Sequence, residues 1–136
     1  MTKLGVVVAR FNQGVTDKML EEAEKRASEL DAEIVETVRV PGAYDTPLAA
    51  DRVAKKYEID AVAVLGAIIE GDTNHDDVIG HSIGHKLSQI SLDRDKPVTL
   101  GVTGPGMTAK EASARTHYGA EAVEAAVNLL EDLPEV

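Results

Sequence analysis

The chain has no cysteine among its 136 residues. Disulfide scaffolds, thiolate zinc sites and thiol nucleophiles are therefore excluded. It has no tryptophan, one phenylalanine and three tyrosines, so each aromatic ring is a rare feature. Basic residues are also scarce: 14 Lys and Arg stand against 24 Asp and Glu, a formal charge of −10. No Lys/Arg cluster offsets this locally, which argues against a nucleic-acid partner. No apolar run approaches the roughly 20 residues of a membrane-spanning helix. Met1-Thr2-Lys3 leads straight into a strand-like run rather than a signal peptide, which predicts a cytoplasmic protein without a membrane partner. Hairpin signals, internal repeats, low-complexity tracts and linkers are missing too.

What is present is a chain 43% hydrophobic, long enough to bury a core as one domain over residues 1–136. The acids fall in helical stretches such as Glu21-Glu22, Glu24, Glu29 and Asp31. They read either as a solvated surface that keeps the protein soluble or as adaptation to high salt.

Strands and helices alternate. Leu4 to Ala9 is nearly continuous in apolar residues, as in a strand buried on both faces. Val15, Met19, Ala23, Ala27 and Leu30 recur at helical spacing. Ala32 to Val40 reads as a second strand, ended by Pro41-Gly42. A helix is predicted from Asp45 or Thr46 to Tyr57, with Pro47 in its first turn and Leu48, Ala49, Val53 and Ala54 inward. Asp60 to Ile69 is the most apolar stretch and reads as a central strand. His75 to Leu92 carries Ile79, Ile83, Leu87 and Ile90 on one helical face. Lys96-Pro97 opens a fourth strand through Val102, which Gly104-Pro105-Gly106 breaks. Thr108 and Glu111 form a capping box for a last helix, interrupted near Gly119 and continued from Ala120 to Leu130. The order βαβαβαβα predicts an α/β domain, a parallel sheet with helices on both faces. So small a sheet invites cover from another subunit.

Ligands in open α/β sheets bind beyond the carboxyl ends of the strands. The loops there are Arg10 to Gln13, Pro41 to Asp45, Glu70 to His75 and Thr103 to Gly106. Phe11 alone reads first as a plug at a strand end and second as a flat surface for a heteroaromatic ring. Gly71-Asp72-Thr73 precedes a helix, where free N–H groups bind anions; the alternative is a simple N-cap by Thr73 or Asn74. Asp72 would then have to point away from a bound phosphate. His75 opens that helix and, as an imidazole, suits proton transfer, unless it is a surface histidine. His81 and His85 have i, i+4 spacing but no third ligand, so no metal site is expected. Arg115 is either a phosphate ligand or a surface arginine.

Together these loops resemble the 6,7-dimethyl-8-ribityllumazine synthase family of riboflavin biosynthesis. The landmarks are Ala9-Arg10-Phe11-Asn12, Val40 to Pro47, Gly66 to Asp76 and Pro97 to Gly101, in that order and spacing. Gly104 to Thr108 looks like the archaeal branch, and the acid excess would suit a haloarchaeon. The resemblance implies a three-layer flavodoxin-like domain with a four-stranded parallel sheet, without metal or organic cofactor. It implies condensation of 5-amino-6-(D-ribitylamino)uracil with 3,4-dihydroxy-2-butanone 4-phosphate, releasing phosphate and water. By position, Phe11 resembles the residue stacked on the pyrimidine. Ala43, Tyr44 and Asp45 resemble the segment holding ring and ribityl chain, and Ala67, Ile68 and Ile69 the strand-end backbone contacts. Asp72, Thr73 and Arg115 resemble the phosphate site and His75 the proton-transfer residue. Leu100 and Arg115 match positions contributed by a neighbouring subunit of a homo-oligomer, a pentamer or an assembly of pentamers.

Three positions depart from the family pattern. Asp45 stands where Glu is usual, Leu100 where Phe is common, and Glu70 where Arg is common. The sister enzyme of this fold, archaeal riboflavin synthase, is disfavoured by the Arg10-Phe11-Asn12 and Thr73-Asn74-His75 segments. A receiver domain would need an acidic pair after the first strand and an Asp after the third, where Arg10 and Gly66 stand. A passive flavin binder would show affinity without turnover.

The charge yields a first prediction. If the acid surplus is a high-salt surface, the unfolding temperature should rise steadily from dilute to molar KCl, because screening relieves self-repulsion. A melting curve indifferent to KCl would leave the acids a solubility role only.

Overall fold

The computed structural model describes residues 1–71 and 75–135. Strand β1 (Thr2–Ala9) is followed by α1 (Gln13–Glu29), β2 (Ala32–Val40), a 3-10 turn (Ala43–Asp45), α2 (Thr46–Ala54) and β3 (Ala61–Ile69). Then come α3 (His75–Arg94), β4 (Val98–Met107), the short α4 (Ala109–Ser113) and α5 (Tyr118–Asp132). The strands form one parallel sheet in the order β2-β1-β3-β4. Helices cover both faces, the expected flavodoxin-like α/β arrangement. Among the described residues no helix is long and apolar enough to cross a membrane.

The apolar runs follow from this placement. Successive side chains of a strand point to opposite faces. Leu4, Val6 and Val8 of β1 pack with α1 and α5, while Val7 and Ala9 pack with α2 and α3. In β3, Ala61, Ala63 and Leu65 face the first layer and Val62 and Val64 the second. Both strands are central and both their faces are covered, so neither can alternate apolar with polar. On the helices, Met19, Ala23 and Ala27 of α1 and Ile83 and Leu87 of α3 fill the inner stripes as their spacing predicts.

Several boundaries differ from expectation. β4 does not stop at Val102 but runs through Gly104-Pro105-Gly106 to Met107. The three residues are absorbed in a bulge: Thr103 pairs with Ala67, and the next pair is Ile69 with Met107. Proline is tolerated because β4 is an edge strand. Gly104 has φ +90°, and a Cβ there would overlap the Ile68 carbonyl. α2 ends at Ala54, not Tyr57, because the chain must turn to bury Ile59 and pair Asp60 with Lys3 across two bonds of 2.8 Å. Leu48 is 63% exposed and does not face the core; Ala50, Val53 and Ala54 do.

Helix α3 continues past Leu92 to Arg94, whose guanidinium grips Asp51 of α2 through bonds of 2.9 and 3.1 Å. That hydrogen-bonded pairing holds the Asp51 carboxyl below its usual range. The Thr108–Glu111 capping box is present, with both bonds at 3.1 Å. It opens only the five-residue α4, and the break falls at 114–117, ahead of Gly119. Gly119 lies inside the first turn of α5, buried against the backbone of Met19.

This contact is testable. A Cβ at Gly119 would collide with the Met19 carbonyl, whereas Gly14 has nothing within 4 Å of its Cβ position. Gly119→Ala should lose about 1–3 kcal/mol or more by overpacking. Gly14→Ala should be neutral or gain up to about 1 kcal/mol from helix propensity. Chemical denaturation of both variants against the parent reads the difference.

Candidate active site

Strand order reverses between β1 and β3, because β2 lies on one side of β1 while β3 and β4 lie on the other. α1 and α2 consequently pack on opposite faces, and the strand ends between them stay open as a crevice. A cavity of about 250 Å³ occupies this place.

The loops around it are laced by hydrogen bonds. Arg10 and Phe11 extend the β1–β2 ladder, their N–H groups donating to the carbonyls of Val40 (2.7 Å) and Pro41 (2.9 Å). This brings the first loop beside the Ala43–Asp45 turn. That turn is closed locally: Asp45 Oδ2 accepts from Gly42 N at 2.9 Å, and Thr46 Oγ1 donates to Ala43 O at 2.7 Å. Asn12 Nδ2 donates to Ala67 O at 2.9 Å, joining the first loop to the end of β3. Glu70 N donates to Met107 O at 2.8 Å, and Gly106 N to Asp76 Oδ2 at 3.1 Å, joining β3 to β4 and β4 to the start of α3.

Seven of the residues singled out in the sequence line this one cavity: Phe11, Ala43, Tyr44, Ala67, Ile68, Ile69 and His75. Phe11 is not the strand-end plug that its position first suggested. It is 70% exposed, and Tyr44 is 66% exposed. Two aromatic faces without core packing thus border a cavity that the strand-end residues Ala67, Ile68 and Ile69 also line. His75, exposed at the first position of α3, stands at the same wall. Such a site offers a planar ring a stacking surface, edge hydrogen bonds and one proton-transfer group.

Other candidates lie elsewhere. The Asp45 carboxylate is engaged with Gly42 N–H and borders a separate cleft of about 510 Å³ between β2 and α2, flanked by the Lys56–Glu36 ion pair. Leu100 is 54% exposed on the β4 edge beside α3. Arg115 follows α4, its Nη1 donating to Glu111 O at 3.0 Å. Neither Leu100 nor Arg115 lines the cavity, and among the described residues no Lys or Arg does. Asp72 and Thr73, with Asn74, lie outside the described residues. His81 and His85 are exposed on α3, and no group of three or more metal-ligating side chains occurs among the described residues.

Sequence reasoning gave Asn12, Asp76 and Ile79 no individual role in the site, although all three line the cavity. Ile79 was accessible from its i+4 spacing to His75. Asp76 gave no signal, since its partner is a backbone N–H thirty residues away.

Comparison with known proteins bears on the family and the fold. The family model described as 6,7-dimethyl-8-ribityllumazine synthase matches residues 1–133. Proteins named 6,7-dimethyl-8-ribityllumazine synthase are 57% identical in Halorubrum lacusprofundi, covering 98% of this chain and 99% of theirs. The protein of that name in Halobacterium salinarum is 56% identical over 98% and 100% of the two chains. That in Methanococcus aeolicus is 44% identical over the full length of both. Among solved structures, a 3-dehydroquinate dehydratase-like protein from Bifidobacterium longum superposes with a TM-score of 0.54. It is 15% identical and covers 96% of this chain and 98% of that one, a likeness of fold alone.

The exposure of Phe11 generates a stability prediction. A core plug truncated to alanine would cost about 3–5 kcal/mol. Phe11→Ala should instead stay within about 0.5 kcal/mol of the parent in chemical denaturation, because no packed core surrounds the ring.

Proposed function

The chain belongs to the 6,7-dimethyl-8-ribityllumazine synthase family, an enzyme of riboflavin biosynthesis, and from that premise we propose how its site works. The reaction joins 5-amino-6-(D-ribitylamino)uracil to 3,4-dihydroxy-2-butanone 4-phosphate. The carrying observation is the convergence of Phe11, the Ala67–Ile69 strand end and His75 on one crevice. The pyrimidine stacks on Phe11 and bonds through its edge to the strand-end backbone. Its 5-amino group attacks the ketone and loses water to form an imine. Loss of the C3 proton and of phosphate from C4 leaves an enol that tautomerises to a ketone; the ribityl-bearing amine attacks this carbonyl, and a second water leaves as the ring closes. His75 moves protons among these steps, and holding both reactants in register supplies much of the rate.

The anion needs more than this cavity. About 250 Å³ of space with no Lys or Arg lining it among the described residues suits a ring better than a ring and a phosphate ester together. In the proposal the segment with Asp72 and Thr73, ahead of α3, provides N–H groups and the charge comes from Arg115 of a neighbouring copy. Exposure of Leu100 on the β4 edge and the absence of Arg115 from the lining of its own cavity support a site completed between subunits. The working form is then a cytoplasmic homo-oligomer of this one domain, a pentamer or a set of pentamers. Asp45, one carbon shorter than the usual Glu, meets the ribityl chain through water or after leaving Gly42. No metal or organic cofactor enters any step, and the acid surplus suits work in high salt.

The test is direct. Purified protein given both substrates and a chelator should form fluorescent lumazine; a requirement for a divalent ion would overturn the reading. Arg115→Ala should weaken the phosphate substrate by about 1.5–3 kcal/mol with pyrimidine binding nearly unchanged. His75→Ala should lower kcat by up to about 100-fold with both KM values little altered. Parent-like rates in His75→Ala from pH 6 to 8 with lost phosphate affinity would make the histidine an anion ligand.

A further inference from the structure

Asn12 has backbone angles φ 64° and ψ 47°, in the left-handed region that asparagine tolerates better than most residues. Its carbonyl accepts from Val15 N (2.9 Å) and Thr16 N (3.1 Å) and so opens α1. Its side-chain Nδ2 reaches Ala67 O at 2.9 Å, 55 residues away on β3. One residue therefore ends the first strand's loop, begins a helix and crosses the crevice floor. Phe11 directly precedes it, with a ring 70% exposed and no core to orient it. What aims that ring is the backbone on either side: Phe11 N on Pro41 O, and the turn at Asn12.

We infer that Asn12 is a positioning residue for the pyrimidine, setting the gap between the stacking face of Phe11 and the strand-end backbone at Ala67. This rests on the reading given under Proposed function. The left-handed turn alone could be supplied by glycine. The amide donor could not, so the two contributions are separable. A shifted gap would loosen a stacked ring without touching the phosphate end of the site.

Three variants separate these contributions. Asn12→Gly keeps the turn and drops the donor. Asn12→Asp keeps the shape but sets a carboxylate against a carbonyl. Asn12→Ala loses both turn and donor. KM for each substrate, kcat and melting temperature are measured on the assembled protein. In Asn12→Gly the KM for the ribitylaminouracil should rise about 3–10-fold while that for the butanone phosphate stays within about twofold. Asn12→Asp should raise it at least as far. A parent-like pyrimidine KM in Asn12→Gly would overturn the inference. So would parallel rises in both KM values with a falling melting temperature, or failure of all three variants to assemble, since each marks a purely structural residue. An inactive parent overturns the functional reading itself and the inference with it. An active parent with insensitive variants overturns the inference alone.

Discussion

Parallel pairing of β1 with β3, Leu4 opposite Ala61 through Val8 opposite Leu65, is the constraint from which the architecture follows. From Leu4 to Ala9 and from Ala61 to Ile68 the two strands are covered on both faces, so these stretches are apolar and buried. Because β2 joins on the far side of β1, the crossover helices α1 and α2 are forced onto opposite faces. Between them the strand ends have nowhere to bury their terminal groups. That is where the cavity opens, lined by loops that follow β1, β2 and β3.

The loops are held there by polar bonds as well as by packing, Ala43 lying against the second core layer. Contacts from Phe11 to Pro41, Asn12 to Ala67, Glu70 to Met107 and Gly106 to Asp76 run round the crevice in sequence. Each adds about 0.5–1.5 kcal/mol net, little against the hydrophobic core. Their value lies in direction, since they fix backbone groups and an exposed ring before any substrate arrives. The cavity is mostly apolar and has no lining Lys or Arg among the described residues. Such a lining suits a flat, uncharged ring better than an anion. Leu100 and Arg115, the two candidates expected from a neighbouring copy, lie on other surfaces of the chain.

Much of the layout was legible without coordinates. Strands buried on both faces leave near-continuous apolar runs, and amphipathic helices leave a 3.6-residue period, so order and layers could be read from Leu4 to Leu130. The extension of β4 could not. Gly-Pro-Gly ordinarily ends a strand, and whether it bulges instead depends on Ile68 and Met107 of β3 and β4 meeting it. Gly119 is similar: its sequence position reads as a helix break, yet its role is to admit the Met19 backbone of α1.

For the site, the sequence by itself determined which residue types gather at the strand ends, because loop position follows from strand position. It could also identify the family, through motifs whose order and spacing are preserved. Tertiary structure alone decided the rest. Phe11 faces out rather than in because Pro41 and Asn12 hold its backbone from both sides. The Asp45 carboxylate is spent on Gly42, and Asp76 is tied to Gly106. These outcomes turn on partners distant in sequence or on a choice among near-equal hydrogen bonds, and a one-dimensional pattern of polarity carries no record of either.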